Sequence, residues 1–377
     1  MDHPSNHVWH YSAAYLGGGF LPWLAIVVGA LVLLLLLPVL VVYAWPLRSG
    51  RLRRVLVESP DYDTVVARAA KIVAADRDDP AVAPEAGSVL LTHGTRTARA
   101  VLMLHGYTVS PAQFANLARF YFDHGYNVYV PREPGHGLVD RRAEGRLNAI
   151  DLVGYANESI NIAAGLGEEV GVVGISGGAV LGTWLAQYRS DVVRRLLVLA
   201  PFYGVNPAKA PGYLIKPLTV LFGFRVLPDR QVTGTGFWLS ALSQYLRITI
   251  NLRVVPVHGD LRTVAVAFSD NDESIDRRAA VDLPRRLAEA NNLPLRVHRL
   301  GRELGLGHDI VRPDRVNDLA DELNRLYLDL YEGHGAPEQA ERPEEAEEAE
   351  EAERVERVEQ AERIEAAEPG AGFRRTG

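Results

Sequence analysis

The chain has 377 residues, of which 47% are hydrophobic and 23% are charged, so it is long enough for one large domain with a buried core. It has no cysteine, which excludes disulfides, thiolate metal sites and a cysteine nucleophile. The net charge of −7 comes from the C-terminal end, because residues 334–377 hold 14 Glu and 6 Arg and the rest is nearly neutral. Since the arginines are scattered, we expect no nucleic-acid partner.

An apolar run near the N-terminus predicts a membrane helix. Residues 24–45 carry no charge, and as a helix they would span roughly 33 Å, against a hydrocarbon core of about 30 Å. Trp23 and Trp45 lie where interfacial aromatic residues are usually found. Pro38 is compatible with a membrane helix. We therefore predict a transmembrane helix at about residues 22–45, within an N-terminal anchor formed by residues 1–54.

The flanks of this run bear on its fate and its orientation. Val42-Tyr43-Ala44 faintly resembles a signal-peptide cleavage site, but no Lys or Arg precedes the run, which favours a retained anchor. Four arginines follow it directly: Arg48, Arg51, Arg53 and Arg54. By the positive-inside rule, this pattern predicts a single-pass membrane protein whose larger part lies on the cytoplasmic side.

The middle of the chain alternates between strand and helix patterns. Residues 55–87 are interpreted as a lead-in helix and linker, and residues 88–332 as the main domain. Strands are predicted at 88–92, 99–104, 127–130, 169–175, 195–199, 263–268 and 295–299, and helices at 111–124, 152–166, 177–188, 283–290 and 313–331. Because most of these strands are unbroken apolar runs, the pattern predicts an α/β fold with a mostly parallel sheet and helices on both faces.

Two segments depart from this alternation. Residues 203–253 are too long for a plain loop and rich in apolar side chains, which predicts a helical cap inserted above the sheet. The alternative is a pair of ordinary connecting helices. Residues 333–377 form a Glu/Ala-rich tail of low complexity, in which acids four residues before arginines favour a solvated helix or disorder.

Gly174-Ile175-Ser176-Gly177-Gly178 matches the G-x-S-x-G pattern of a nucleophile elbow. The pattern alone is weak, but here an apolar strand ends at Ile175 and a predicted helix begins at Gly177. A serine in such a turn is lifted above the sheet edge at a helix N-terminus, where developing negative charge is favoured. Ser176 is therefore the candidate nucleophile.

A serine hydroxyl needs a base, and the base needs a carboxylate. His308 lies in the loop between the last strand and the last helix, which suits it better than the other histidines. Between Ser176 and His308 in the chain, Ser269-Asp270-Asn271-Asp272 follows a predicted strand. Asp272 is the preferred acid and Asp270 is the alternative.

The first long strand is followed by His105-Gly106-Tyr107-Thr108. Such a loop can direct a backbone N–H at a substrate oxygen, and the N–H of the residue after the nucleophile can be the second donor. Tyr107 and Gly177 are therefore the candidate oxyanion-hole residues, and the Tyr107 ring is expected to line the pocket. We expect no metal and no cofactor.

These motifs, together with Pro134-Gly135-His136-Gly137, resemble the α/β-hydrolases, and within them the bacterial carboxylesterase and monoacylglycerol-lipase group. The resemblance covers about residues 88–331 and implies an α/β-hydrolase fold. It also implies that Ser176, Asp272 and His308 form a catalytic triad and that the reaction passes through an acyl-enzyme. The membrane helix and the acidic tail are departures from the family pattern.

The expected function is that of a membrane-anchored serine hydrolase acting on a small-molecule ester, with an acyl-containing substrate suggested by the apolar cap and the membrane helix. The alternatives are an acyltransferase or thioesterase that uses the same triad, and a non-catalytic membrane adaptor. The first would be revealed by acyl thioesters or added alcohol acceptors, and the second by a serine that does not react with a fluorophosphonate probe.

Overall fold

The computed structural model describes residues 20–232, 236–256 and 259–334. Residues 1–19 of the predicted anchor and residues 335–377 of the predicted tail lie outside these ranges. Helices in the described part are α1 (Phe20–Ala44), α2 (Tyr62–Asp78), α3 (Ala115–Asp123), α4 (Ala149–Leu166), α5 (Gly177–Tyr188), α6 (Gly212–Gly223), α7 (Leu239–Asn251), α8 (Arg277–Ala290), α9 (Pro313–Val316) and α10 (Ala320–Glu332).

A sheet of seven strands forms the centre of the domain in the order β1-β3-β2-β4-β5-β6-β7. Its strands are β1 (Val89–Leu91), β2 (Thr97–Leu104), β3 (Tyr126–Val130), β4 (Gly167–Ile175), β5 (Val193–Leu199), β6 (Thr263–Ser269) and β7 (Leu295–Leu300). Only the edge strand β1 pairs antiparallel, and the other neighbours are parallel. The predicted parallel sheet is therefore observed.

Both faces of the sheet are buried, because successive side chains along β4 enter different cores. Val170 and Val172 pack in a core that includes side chains of α4, α5 and α8. Val173 and Ile175 pack in a second core with side chains of α3 and α10. This two-sided burial explains why most of the strands are largely apolar instead of alternating.

Helix α1 stands apart from these cores. Its segment Trp23–Ala44 is long and apolar enough to cross a membrane, and none of it is buried. Length and composition of this kind fit a membrane span and equally a signal sequence near an N-terminus. At its C-terminal end, the Tyr43 hydroxyl donates to the Tyr213 carbonyl oxygen of α6 at 2.8 Å.

The segment after α1 is fixed to the domain by three buried or partly buried contacts. Asn251 at the end of α7 accepts from the Ser49 N–H at 2.7 Å and donates to the Leu47 carbonyl at 3.0 Å. The Trp184 indole donates to the Leu52 carbonyl at 2.7 Å. Within α2, Val65 and Ala69 are fully buried. The predicted lead-in segment is therefore packed against the domain.

Helices α6 and α7 fall within the insertion between β5 and β6, where the cap is predicted. They are joined by a hydrogen bond from the Gln244 side chain to the Gly223 carbonyl oxygen at 2.9 Å. The backbone N–H of Trp238, just before α7, donates to the Tyr107 hydroxyl at 3.2 Å. The insertion thus contacts the loop that follows β2.

Two helix predictions are wrong. Helix α8 begins at Arg277 instead of residue 283, because the Asp276 side chain caps the N–H groups of Arg278 and Ala279. The predicted helix at 313–331 is broken after Val316, because Asn317 adopts a φ of 43° and a 3₁₀ turn precedes α10. Asparagine tolerates this left-handed region better than most residues.

Candidate active site

Ser176 lies on a tight turn between β4 and α5. Its φ of 55° and ψ of −116° place it in a conformation that residues other than glycine rarely adopt. The turn is held by a hydrogen bond from the Ser176 N–H to the Leu199 carbonyl oxygen of the neighbouring strand, at 2.9 Å. Strained backbone of this kind is often found at functional sites.

Close backbone approach at the turn requires glycine on both sides of the serine. A Cβ atom on Gly174 would lie 2.4 Å from the Gly178 carbonyl oxygen. One on Gly178 would lie 2.0 Å from the Leu104 carbonyl oxygen at the end of β2. The glycines of the G-x-S-x-G pattern are therefore explained by steric fit, as expected for an elbow.

The structure brings Ser176, His308 and Asp272 together in one hydrogen-bonded chain. The His308 Nε2 atom lies 2.8 Å from the Ser176 Oγ atom. On the other side of the ring, His308 Nδ1 lies 2.6 Å from Asp272 Oδ2. The Asp272 side chain is fully buried, whereas the His308 side chain is 23% exposed. This arrangement suits proton transfer from the serine to a histidine whose tautomer is fixed by a carboxylate.

Asp270, the alternative acid, lies elsewhere. Its Oδ1 atom accepts from the Arg299 guanidinium at 3.0 and 3.1 Å. The buried carboxylate of Asp272 also accepts from the Ser274 N–H at 2.7 Å, so each of its oxygens has a partner. The two aspartates are therefore clearly different in environment, and only Asp272 contacts His308.

Ser269, the last residue of β6, connects the loop that carries Asp272 with the loop that carries His308, a role that was not predicted from the sequence. Its fully buried hydroxyl donates to the Leu306 carbonyl oxygen, two residues before His308. The same oxygen accepts from the Asn271 N–H at 3.1 Å. One side chain thus positions both loops at the carboxyl edge of the sheet.

The loop after β2 lies directly against the serine. The Gly106 N–H donates to the buried Gln113 side chain at 2.8 Å, and a Cβ on Gly106 would lie 3.4 Å from the Ser176 Cβ. Within the described part of the chain, the N–H groups of Tyr107 and Gly177 have no hydrogen-bond acceptor. Two such donors beside a nucleophile can stabilise an oxyanion.

Behind this loop lies a buried polar cluster that the sequence analysis missed. The Glu133 N–H donates to His105 Nε2 at 3.0 Å, and the Tyr245 hydroxyl of α7 donates to the Glu133 carboxyl. Burial raises the pKa of Glu133 to about 8 and lowers the pKa values of His105 and His136 to about 4 and about 3. The cluster therefore holds neutral histidines near neutral pH.

Tyr245 also borders the expected oxyanion site. A Cβ on Gly177 would lie 2.7 Å from the Tyr245 ring, so the ring covers the first residue of α5. The Tyr107 and Tyr245 rings lie 5.9 Å apart. In the sequence, this cluster was indicated only by the Pro134-Gly135-His136-Gly137 motif. A local motif cannot identify Tyr245 as the partner of Glu133, because the two residues are more than a hundred positions apart.

A cavity of about 520 Å³ opens beside Ser176 and His308. Its volume is typical of small-molecule sites. Its lining contains apolar side chains (Tyr107, Val109 and Phe237) and charged ones (Asp309, Arg312, Asp314 and Arg315). Arg312 is paired with Asp314 at 2.6 Å. The predicted location of the Tyr107 ring in the pocket lining is thus seen in the structure.

The sheet order, the elbow and the carboxyl-edge loops define the class of the protein: it has the α/β-hydrolase fold. Residues 95–299 match the family described as serine aminopeptidase, S33, which is more than half of the chain. The chain therefore belongs to this family of hydrolases, and the predicted fold is confirmed.

Several proteins of known identity are similar to parts of the chain. A thermostable monoacylglycerol lipase from Bacillus sp. (strain H-257) is 33% identical over 92 residues, which are 24% of this chain and 36% of the lipase. The match thus spans little more than a third of that relative.

The chain was also compared with solved structures. A structure from work on LipS and LipT, two metagenome-derived lipolytic enzymes, has a TM-score of 0.50 at 16% identity and covers 67% of this chain and 100% of its own. The monoacylglycerol lipase of Paleococcus ferrophilus has a TM-score of 0.48 at 15% identity, with coverage of 66% and 98%. Because the first of these structures is only 16% identical to the chain, its likeness shows the fold alone.

Proposed function

We propose that the chain is a membrane-anchored serine hydrolase that cleaves carboxylic esters. The observation that carries this proposal is the hydrogen-bonded chain from Asp272 through His308 to Ser176 at the carboxyl edge of the sheet. The similarity to lipases and esterases and the family membership support a hydrolase of this kind. Because one fold serves many reactions, the residues at the site define the chemistry.

The proposed reaction has two halves. In the first, His308 Nε2 takes the proton of Ser176 as the serine oxygen bonds to the ester carbonyl carbon. The C–O bond of the ester then breaks, and the imidazolium returns the proton to the leaving alcohol. This leaves an acyl group on Ser176. In the second half, His308 activates water, and the acid and free serine are released.

The N–H groups of Tyr107 and Gly177 are proposed to bind the oxygen of the tetrahedral intermediate. Both lie on backbone that is held by side chains around it: Gln113 fixes the preceding Gly106, and the Tyr245 ring packs on Gly177. Donors fixed before the reaction stabilise developing charge without reorganisation.

The proposed substrates are esters with an acyl chain, such as monoacylglycerols. The apolar residues in the cavity lining suit an acyl chain, and its polar and charged residues suit a polar head or leaving group. An anchor at α1 would keep the domain beside a bilayer, where such esters are concentrated. The proposed cap, formed by α6 and α7, would cover the acyl side.

A substrate series on the full-length chain in detergent tests this proposal. We expect hydrolysis of p-nitrophenyl esters with a rate that changes with acyl length, and no release of p-nitroaniline from aminoacyl p-nitroanilides. Hydrolysis of the anilides alone would contradict an esterase. Acyl transfer to an added alcohol in preference to water would favour the acyltransferase alternative.

The membrane placement is tested separately. Since the chain has no cysteine, single cysteines at Ser5 and at the exposed Asp78 can be labelled with a membrane-impermeant maleimide in intact cells. We propose that the N-terminus lies outside, so Ser5→Cys is labelled and Asp78→Cys is labelled only after lysis. Recovery of the chain in the soluble fraction, without its first 44 residues, would indicate a cleaved signal sequence instead.

A further inference from the structure

A second large cavity lies where the chain leaves α1, and it shares no lining residue with the active-site cavity. Its volume is about 860 Å³. Three separate stretches of the chain form it: the segment after α1, the end of α7 with the residues that follow, and the last turns of α8. We call it the basic cavity because four arginines line it, namely Arg48, Arg53, Arg253 and Arg286.

The charge of this cavity is poorly balanced by the protein. Glu289 is the only acid in its lining. In the described ranges, no carboxylate lies in salt-bridge contact with Arg48, Arg53 or Arg253. Among the residues that the structure describes, the buried Nε atom of Arg53 has no hydrogen-bond partner, and Arg286 donates to the Asp282 carbonyl oxygen at 3.3 Å. Guanidinium groups in this state are suited to bind phosphate oxygens.

The cavity is built on fixed backbone. Asn251, which is buried, binds both Leu47 and Ser49 and so ties the chain between α1 and Arg53 to the end of α7. The Trp184 indole holds the Leu52 carbonyl next to Arg53. The backbone that carries Arg48, Arg53 and Arg286 is therefore held in place before a ligand binds, which lowers the entropy cost of binding.

An apolar cavity of about 490 Å³ adjoins the basic cavity, since Arg48 and Ile250 line both. Trp45, Leu47 and Ile215 give the adjoining cavity its apolar character. A ligand with an anionic head and apolar chains would place its head among the arginines and its chains along this surface and α1. A small inorganic anion would use only the first part.

We propose that the basic cavity binds the headgroup phosphate of an anionic phospholipid at the membrane surface. The inference rests on the proposed membrane placement of α1, because that placement puts the arginines at headgroup depth. It adds a lipid site that is distinct from the ester-cleaving site. Juxtamembrane arginines commonly attract anionic lipids, and here three stretches of chain converge around one such group.

The test uses the full-length chain in a neutral detergent and three probes: dioctanoyl phosphatidylglycerol, dioctanoyl phosphatidylcholine and inorganic phosphate. Their dissociation constants are measured by calorimetry for the wild type and two double variants. Arg53→Gln with Arg253→Gln removes two cavity charges. Arg51→Gln with Arg54→Gln removes the same charge from exposed arginines in the same segment that do not line the cavity. Far-ultraviolet circular dichroism of each preparation reports correct folding.

We expect phosphatidylglycerol to bind at least tenfold more tightly than either other probe. The cavity variant should weaken this binding by roughly tenfold or more, and the control variant by less than about twofold. Equal losses in both variants would overturn the site in favour of diffuse attraction. Equal binding of inorganic phosphate would overturn the lipid in favour of a free anion.

Failure of this proposal is distinguishable from failure of the proposed function. The binding assay needs neither a bilayer nor turnover, so a negative result leaves the chemistry at Ser176 and the topology of α1 untouched. Conversely, we expect Ser176→Ala to bind phosphatidylglycerol as the wild type does. A loss of binding in Ser176→Ala would show that the lipid occupies the active site, which would overturn a separate site.

Discussion

The active-site edge and the basic cavity hold their charged side chains in opposite ways. At the active-site edge, Asp272 is fully buried and both of its oxygens accept hydrogen bonds, one of them with His308. In the basic cavity, the arginines are half-buried or exposed, and within the described part of the chain the Nε atom of Arg53 has no hydrogen-bond partner. The hydrogen-bonding groups of Asp272 are satisfied within the protein, whereas the basic cavity contains a guanidinium N–H that has no acceptor among the described residues.

This difference indicates what each site can do. A closed chain of hydrogen bonds moves a proton among its own members and needs from outside only the molecule that reacts. Unpaired cations have no such internal partner, and an anion from outside must supply the acceptors. If the two sites are independent, substitutions at the proposed active site should change turnover, and a substitution beside the basic cavity should not.

Ser176→Ala should abolish ester turnover. Without the nucleophile, only binding and the oxyanion-hole donors remain, so we expect kcat to fall by roughly 10⁴-fold or more. The measurement is the steady-state rate with a p-nitrophenyl ester. Ser159→Ala is the matched control, because this buried hydroxyl donates to the Tyr155 carbonyl oxygen away from the site. A Ser176→Ala variant with more than about a tenth of the wild-type kcat would contradict the account.

Asp272→Asn should lower kcat by about 10³- to 10⁴-fold, because the amide no longer fixes the His308 tautomer or stabilises the imidazolium. Asp270→Asn is the control, and we expect it to change kcat by less than about threefold, since Asp270 pairs with Arg299 on the other side of the loop. The kcat values of the two variants, measured under the same conditions, show which aspartate acts with His308. A larger loss in Asp270→Asn would reassign the acid.

Glu133→Gln should change how stability depends on pH. Burial raises the pKa of Glu133 to about 8 from an ordinary 4.5, so the folded chain retains a proton that the unfolded chain loses. Wild-type stability therefore decreases as the pH rises through this window, whereas the variant lacks this contribution. We expect the Tm of Glu133→Gln relative to wild type to increase between pH 5.5 and pH 8.5, by several degrees in all.

The neighbours of Glu133 do not obscure this comparison. Tyr245 and His136 contact its carboxyl group, His105 accepts from its N–H, and Arg132 is adjacent in sequence. The pKa values of His136 and His105, about 3 and about 4, lie below pH 5.5, and burial raises the pKa of Tyr245 well above its ordinary value, so none of these three groups titrates in the folded chain between pH 5.5 and pH 8.5. Thermal unfolding followed by circular dichroism gives the values. A constant difference across the pH range would show that the carboxyl titrates normally.

Asn251→Ala should produce the smallest effect and should affect the basic cavity more than the active site. The variant loses the contacts to Leu47 and Ser49, which we expect to lower the free energy of unfolding by about 1–3 kcal/mol. Turnover of a soluble ester should stay within about twofold at a temperature where the variant is folded. Denaturant unfolding and kcat are measured together on the same preparation. A large loss of kcat would mean that the two sites are coupled.

Much of the fold followed from local sequence pattern. Most strands are apolar runs, and the predicted β4 and α5 flank Ser176 in the structure. The turn between them was recognisable because steric fit requires glycine on both sides of the serine. The errors lie in helices. The start of α8 depends on a cap by Asp276 before a charged stretch, and the break at Asn317 depends on a single residue with a φ of 43°. Neither alters the apolar periodicity on which the predictions depended.

The site was predictable only where loops follow strands. Ser176, Asp272 and His308 each lie just beyond a strand of the parallel sheet, so a shared edge was expected. Ser269 and Glu133 were missed, because their roles depend on Leu306 and Tyr245, which tertiary packing alone brings close. The basic cavity was even harder to predict, because Arg53 and Arg253, which line it together, are two hundred residues apart in the sequence.

The central claim is that His308 activates Ser176 for attack. The most direct measurement is the reaction of the full-length chain with diethyl p-nitrophenyl phosphate, followed by peptide mapping of the adduct. We predict one diethylphosphoryl group per chain, located on Ser176, and a rate of labelling that falls by about 10³-fold or more in His308→Gln. An adduct on another residue, or equal labelling rates in the wild type and His308→Gln, would contradict the account.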